Sequence, residues 1–160
     1  MIVNIKEENL MAKITFHASS RWKGEGVGVD VAIRQHRLNI DEPKELHGKD
    51  EGPNPVELLL ASLGSCLSVL AALFAPSYGV ELKGFRVETE GDLDPAGFQG
   101  QAADRPGFLE IRYRFEVDSP SESKKVLALL DQIQRVCPVK DTLRGIPVKG
   151  PEVVPLQGFA

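Results

Sequence analysis

The sequence predicts an α+β fold: a mostly antiparallel sheet packed around two long central helices. Three observations lead there. Residues 27–33 and 108–117 alternate apolar and polar side chains, the period of a half-buried strand. Residues 55–76 form one long, nearly uncharged run. Residues 126–137 carry Val126, Leu129, Leu130, Ile133 and Cys137 at helical spacing. Strands, a long helix, more strands and a second helix follow one another, the order expected of sheet and helices segregated into layers.

The elements read in chain order as follows. Residues 11–18 alternate, with Ala12, Ile14 and Phe16 opposite Lys13, Thr15 and His17, and predict a first strand. Residues 19–26 read as a turn or mobile loop. Val27, Val29, Val31 and Ile33 share one face of the next strand. Leu38 and Ile40 are out of phase with it, so a turn or bulge is expected within residues 34–37. Residues 41–55, DEPKELHGKDEGPNP, form a long polar loop, of a length that is often functional. It ends in Asn54-Pro55-Val56-Glu57: a capping residue, a proline at the first helical position and a glutamate placed to reach back to the cap. The helix so opened runs to about Pro76, with an exit turn at 77–79.

Residues 85–91 predict a strand, and 92–107 a Gly/Asp/Pro loop. In 108–117 Leu109, Ile111, Tyr113, Phe115 and Val117 are expected to face in, with Glu110, Arg112, Arg114 and Glu116 facing out. Ser119-Pro120-Ser121-Glu122 repeats the capping pattern before the second helix, which Pro138 is expected to end. The tail from 146 is expected to add a short strand. The whole chain, 1–160, reads as a single domain.

Composition narrows the function. The 160 residues carry a net charge of −4 with no basic block, which argues against a nucleic-acid partner. Two cysteines are too few for a disulfide scaffold and read as cytosolic thiols. Acidic residues near the start stand where a signal peptide needs its apolar stretch, so a cytoplasmic location is expected. Residues 58–75 are long enough to approach a membrane span, but interspersed Ser and Gly and the lack of flanking basic residues favour a buried helix. This helix is apolar on all sides. One sheet and one helix leave part of it uncovered, and a second subunit would supply the cover. His17, His36 and His47 show no metal-ligand spacing with the cysteines.

Cys66 lies deep in the apolar helix, beside Leu59, Ser62, Leu63, Val69, Leu70 and Leu73 on a helical wheel. Taken alone it reads as an inert core residue. Reactivity there needs a cation brought in from elsewhere. Cys137 ends the apolar stripe of the second helix and points toward whatever that helix packs on. Two thiols on packed helices can come within disulfide reach.

The stretch DEPKELHGKDEGPNPVELLLASLGSCLSVL, together with CPVKDTL, resembles the OsmC/Ohr superfamily, and more closely its broad OsmC-like branch. The likeness runs from about residue 30 to 148 and rests on G-x-N-P, a cysteine eleven residues after that proline, and a late Cys-Pro. It implies an intertwined homodimer with sites at the subunit interface. It also implies a cysteine-based peroxidase acting on organic hydroperoxides. Cys66 would be the peroxidatic thiol and Cys137 the resolving one, an external dithiol would restore both, and no metal or organic cofactor would be required.

In such proteins an arginine held by a glutamate activates the first thiol. The glutamate position directly after the proline is Val56 here, and Glu57 comes one place later. Nine residues at about 100° each turn Glu57 to the opposite side of the helix from Cys66. Its capping role is a sufficient structural reason for it. Arg21 best matches the place of the arginine, ahead of Arg34; Arg37 and His36 lie in the same RQHR stretch. Two other functions compete: a non-catalytic dimer that holds an apolar small molecule, and a redox sensor whose disulfide alters partner binding.

Overall fold

In the computed structural model, which describes residues 13–98, 100 and 105–156, the chain divides into two compact units, residues 1–55 and 56–160. The first holds an antiparallel sheet of β1 (Ser19–Trp22), β2 (Val29–Ile33) and β3 (His36–Ile40), in that spatial order. The strand expected over 11–18 is not formed: residues 13–18 hold no regular structure, and 11 and 12 lie outside the described residues. The strand begins instead at Ser19, where a turn was expected. Residues 19–22 are the ones that find a partner: Arg21 stands opposite Asp30 in the β1–β2 register and pairs with it at 3.2 Å. Alternation marks a strand only where another strand is in reach to pair with it.

The slip between Ile33 and Leu38 is a two-residue turn, since Ile33 pairs directly with His36 across Arg34 and Gln35. Arg34 adopts a left-handed φ of 56° there. In the loop that follows, buried Asp41 accepts the backbone N–H groups of Lys49 at 2.9 Å and Glu51 at 3.1 Å. One carboxylate thus organises a segment that lacks strand partners.

The second unit is built on α1 (Pro55–Phe74), followed by a short 3-10 turn, β4 (Gly84–Asp92), α2 (Pro95–Phe98), β5 (Glu110–Asp118), α3 (Ser123–Val136), α4 (Pro138–Thr142) and β6 (Val148–Pro155). Its sheet runs β4-β5-β6, with β4 antiparallel and β6 parallel to β5. Leu63, Leu67 and Ala71 of α1 meet Ile111, Tyr113 and Phe115 of β5 and Leu129, Leu130 and Ile133 of α3 in one core. The Thr89 hydroxyl of β4 donates to the Leu60 carbonyl at 3.2 Å, fastening α1 to the sheet. Gly150 in β6 has φ 130°, and a Cβ there would stand 2.4 Å from the Tyr113 carbonyl oxygen, so glycine alone lets β6 pass Tyr113.

Four sequence expectations change in this unit, one being that the loop read over 92–107 holds the short helix α2. Leu109 lies just before β5 and is exposed, not facing in. Glu116 was expected to face out, yet it is buried, because Arg86 of the neighbouring strand folds over it and donates from Nε at 2.9 Å. Ser119 does not cap α3. The cap position is Glu122, with no side-chain capping bond. The helix starts too late for Ser119 to reach it, and its hydroxyl donates to the Glu81 carbonyl at 2.6 Å instead.

The buried positions of α1 are Leu63, Gly64, Leu67 and Ala71, a single stripe. The opposite side leaves Val69 at 57% and Leu73 at 68% exposure. By length and composition this helix, with the 3-10 turn that follows it, would also be able to cross a membrane.

Candidate functional site

The geometry around Cys137 follows from three letters, Cys-Pro-Val. Proline cannot continue α3, and it forces the residue before it into an extended conformation; Cys137 has φ −72° and ψ 111°. That is the conformation a helix N-cap requires, and Pro138 stands at the first position of α4. The Cys137 sulfur accordingly takes the capping role and accepts the Lys140 backbone N–H at 3.4 Å. The same backbone bend turns the thiol inward, where it is 1% exposed.

Cys66 is carried by α1, half-buried against the same core. The structure brings the two sulfurs together: Cys137 Sγ donates to Cys66 Sγ at 3.2 Å, and both thiols are free. Burial pushes the Cys137 thiol up from its ordinary value, the Lys140 N–H pulls it down, and the bond to Cys66 pushes it up again. In this contact Cys137 is the donor, and its proton points to the Cys66 sulfur. Closing a disulfide of about 2 Å from this distance requires a movement of only about 1 Å.

On the open side of Cys66 lies an apolar cleft of about 480 Å³, lined by Ser62, Ser65, Cys66, Val69, Leu70, Pro138 and Val139. Among the described residues no charged side chain lines it. The serines do not polarise the thiol, because Ser62 donates to the Leu59 carbonyl at 2.7 Å and Ser65 to the Ser62 carbonyl at 3.2 Å. The cleft is thus shaped for hydrocarbon next to a sulfur.

The remaining residues singled out from the sequence sit as follows. Glu57 is exposed in the first turn of α1. Arg21 lies on β1, exposed and paired with Asp30. Arg34 forms the β2–β3 turn. Among the described residues no group of three His, Cys, Asp or Glu side chains is arranged to hold a metal ion.

Sequence reasoning missed a polar chain beside the sulfurs. Lys140 Nζ donates to the Tyr113 hydroxyl at 2.9 Å, and that hydroxyl donates to Gln134 Oε1 at 2.7 Å. One signal was available: a tyrosine on the inward face of a strand needs a partner for its hydroxyl.

Comparison with known proteins agrees with this architecture. The model of the OsmC-like protein family matches residues 48–149. A hydroperoxide reductase of Mycoplasma genitalium is 28% identical over 117 residues, which are 68% of this chain and 73% of that protein. The crystal structure of an OsmC-like protein from Mycoplasma pneumoniae superposes with a TM-score of 0.74 at 21% identity, covering 89% of this chain and 99% of that one. An organic hydroperoxide resistance protein from Elizabethkingia anophelis gives a TM-score of 0.70 at 20% identity, covering 92% of this chain and all of that one.

Proposed function

The chain belongs to the OsmC-like protein family, and from that premise we propose that it is a cysteine-based peroxidase that reduces organic hydroperoxides at Cys66. The observation that carries the reading is the 3.2 Å approach of Cys66 and Cys137 beside an apolar cleft. Related proteins named hydroperoxide reductase lend it support at the level of the family.

The chemistry runs as a closed cycle. The Cys66 thiolate attacks the terminal peroxide oxygen, the O–O bond breaks, and the alkoxide leaves as an alcohol by taking up the proton that the Cys66 thiol released to solvent on ionising. Cys66 is now a sulfenic acid. Cys137 attacks the Cys66 sulfur, the S–O bond breaks, and hydroxide leaves with the Cys137 proton as water. An external dithiol then reduces the disulfide by exchange and restores both thiols. As written, the cycle calls on no metal or organic cofactor. We place it in the cytoplasm, where dithiols are kept reduced. The apolar cleft favours bulky alkyl peroxides over hydrogen peroxide.

The cycle needs positive charge to hold Cys66 as thiolate. Arg21 and Arg34 are the candidates, with Glu57 a helix-start residue first and a catalytic one second. We also read the active form as a homodimer. The uncovered apolar side of α1, with Val69 and Leu73 exposed, supports a second copy of the chain as its cover.

The test is turnover of cumene hydroperoxide with a dithiol. Wild type is expected to consume peroxide, and Cys66→Ser is expected to lose that activity by at least about 100-fold. The open apolar cleft also supports a second reading, a binder of apolar small molecules; there Cys66→Ser would leave ligand binding intact and no protein variant would turn over peroxide.

A further inference from the structure

The polar chain next to the sulfurs has no part in the cycle as written. It lies within the second unit and is fully directional. The Lys140 ammonium can only donate, so the Tyr113 hydroxyl accepts from it and passes its own proton to Gln134. Gln134 Nε2 in turn donates to the Leu130 carbonyl of its own helix at 2.8 Å. Tyr113 is 4% exposed, and the Lys140 ammonium also stands 5.4 Å from the centre of its ring. Lys140 is half-buried, and its ammonium turns inward onto a buried hydroxyl.

Lys140 also gives its backbone N–H to the Cys137 sulfur at 3.4 Å. Its main chain holds the thiol and its side chain is held by β5 and α3. The helix it belongs to, α4, has only five residues and little stability of its own. Val139 and Leu143 pack this turn into the core, and the ammonium anchor adds the directional tie from the residue that bonds the Cys137 sulfur.

We propose that Lys140, locked by Tyr113 and Gln134, is a positioning residue for the closing step, the condensation of Cys137 with oxidised Cys66. The proposal rests on the peroxidase reading. In that step the new S–S bond forms as the S–O bond of the sulfenic acid breaks, and the Cys137 proton leaves with the hydroxide as water. Cys137 must hold its aim while negative charge grows on it. The Lys140 N–H serves both needs: it fixes the sulfur in place and stabilises the developing thiolate. The peroxide step takes place at Cys66, on a different helix, which this chain of bonds reaches only through the Cys137 S–H.

The experiment separates the two steps. Wild type, Tyr113→Phe, Lys140→Met and Lys140→Arg are mixed with one equivalent of cumene hydroperoxide and quenched over time. Dimedone-trapped sulfenic acid, disulfide and sulfinic acid are then counted by mass spectrometry. Tyr113→Phe keeps the ring, Lys140→Met keeps the stem, and the urea midpoint of each variant is measured alongside. The expected result is sulfenic acid formation at the wild-type rate in every variant. Disulfide closure is expected to be about ten-fold slower in Tyr113→Phe and Lys140→Met, with sulfinic acid accumulating, and to recover in Lys140→Arg. Closure at the wild-type rate in both Tyr113→Phe and Lys140→Met overturns the proposal, as does an equal slowing of both steps. If wild type forms neither sulfenic acid nor disulfide, the peroxidase reading itself fails and takes the proposal with it.

Discussion

Cys137 Sγ lies 3.2 Å from Cys66 Sγ, the buried thiol donating its proton to the half-buried one. The two sulfurs are 71 residues apart in sequence. Their meeting is the joint product of a helix stripe that faces the core and a proline that stops that helix one residue after the cysteine.

The two thiols are not interchangeable. With Cys137→Ser, peroxide is expected to oxidise Cys66 once at close to the wild-type rate, but no intramolecular disulfide forms and turnover falls by at least about ten-fold. With Cys66→Ser, neither oxidation nor turnover is expected. Stopped-flow peroxide consumption, at one equivalent and in excess, distinguishes the two. Equal loss of the first oxidation in both variants would contradict the assignment of roles.

The raised Cys137 thiol makes stability depend on pH in a definite direction. Burial first, and the Cys66 bond after it, hold the proton on Cys137 more tightly in the folded chain than in the unfolded one. That contribution is fully present below the unfolded thiol pKa of about 8.5 and is lost as pH rises through the folded value. The urea midpoint of reduced wild type is therefore expected to fall as pH rises above about 8.5, and to fall less in Cys137→Ser. A parallel fall in both proteins would show that Cys137 is not the group responsible.

Glu116 is 3% exposed and held by Arg86, with Arg114 a further 3.4 Å contact. Arg86→Met leaves the buried carboxylate without its principal cation and is expected to cost about 3 kcal/mol. The double variant Arg86→Met/Glu116→Leu is expected to regain most of that. Urea unfolding of the three proteins checks it, and a loss below about 1 kcal/mol in Arg86→Met would show the pair to be dispensable.

The exposed side of α1 predicts association. Leu73→Asp puts a charge where a second copy is proposed to pack. Analytical ultracentrifugation is expected to find wild type as a dimer and Leu73→Asp shifted to monomer, with about 2 kcal/mol of apolar burial lost per side chain. A monomeric wild type at high micromolar concentration would remove the dimer from the account.

How far the sequence carried this picture depends on what each element needed. β4, β5 and the apolar stripe of α3 were legible because their periodicity is local, and α1 because a capping pattern opens a long uncharged run. β1 was not: residues 11–18 alternate more regularly than 19–22, yet pairing with β2 decided which stretch became the strand. Glu116 looked like an outward charge because no local pattern reports that Arg86, 30 positions earlier, will fold over it. At the site, Cys66 and Cys137 were visible as helix positions and as a resemblance. The anchor of Lys140 on Tyr113 was not, since it joins α4 to a strand 27 residues away.

The most direct measurement is a non-reducing peptide map after one equivalent of cumene hydroperoxide. The account predicts that the peptides bearing Cys66 and Cys137 appear joined, with the loss of two hydrogens, and that a dithiol separates them again. Recovery of both peptides as free thiols, with the peroxide left unconsumed, would contradict it.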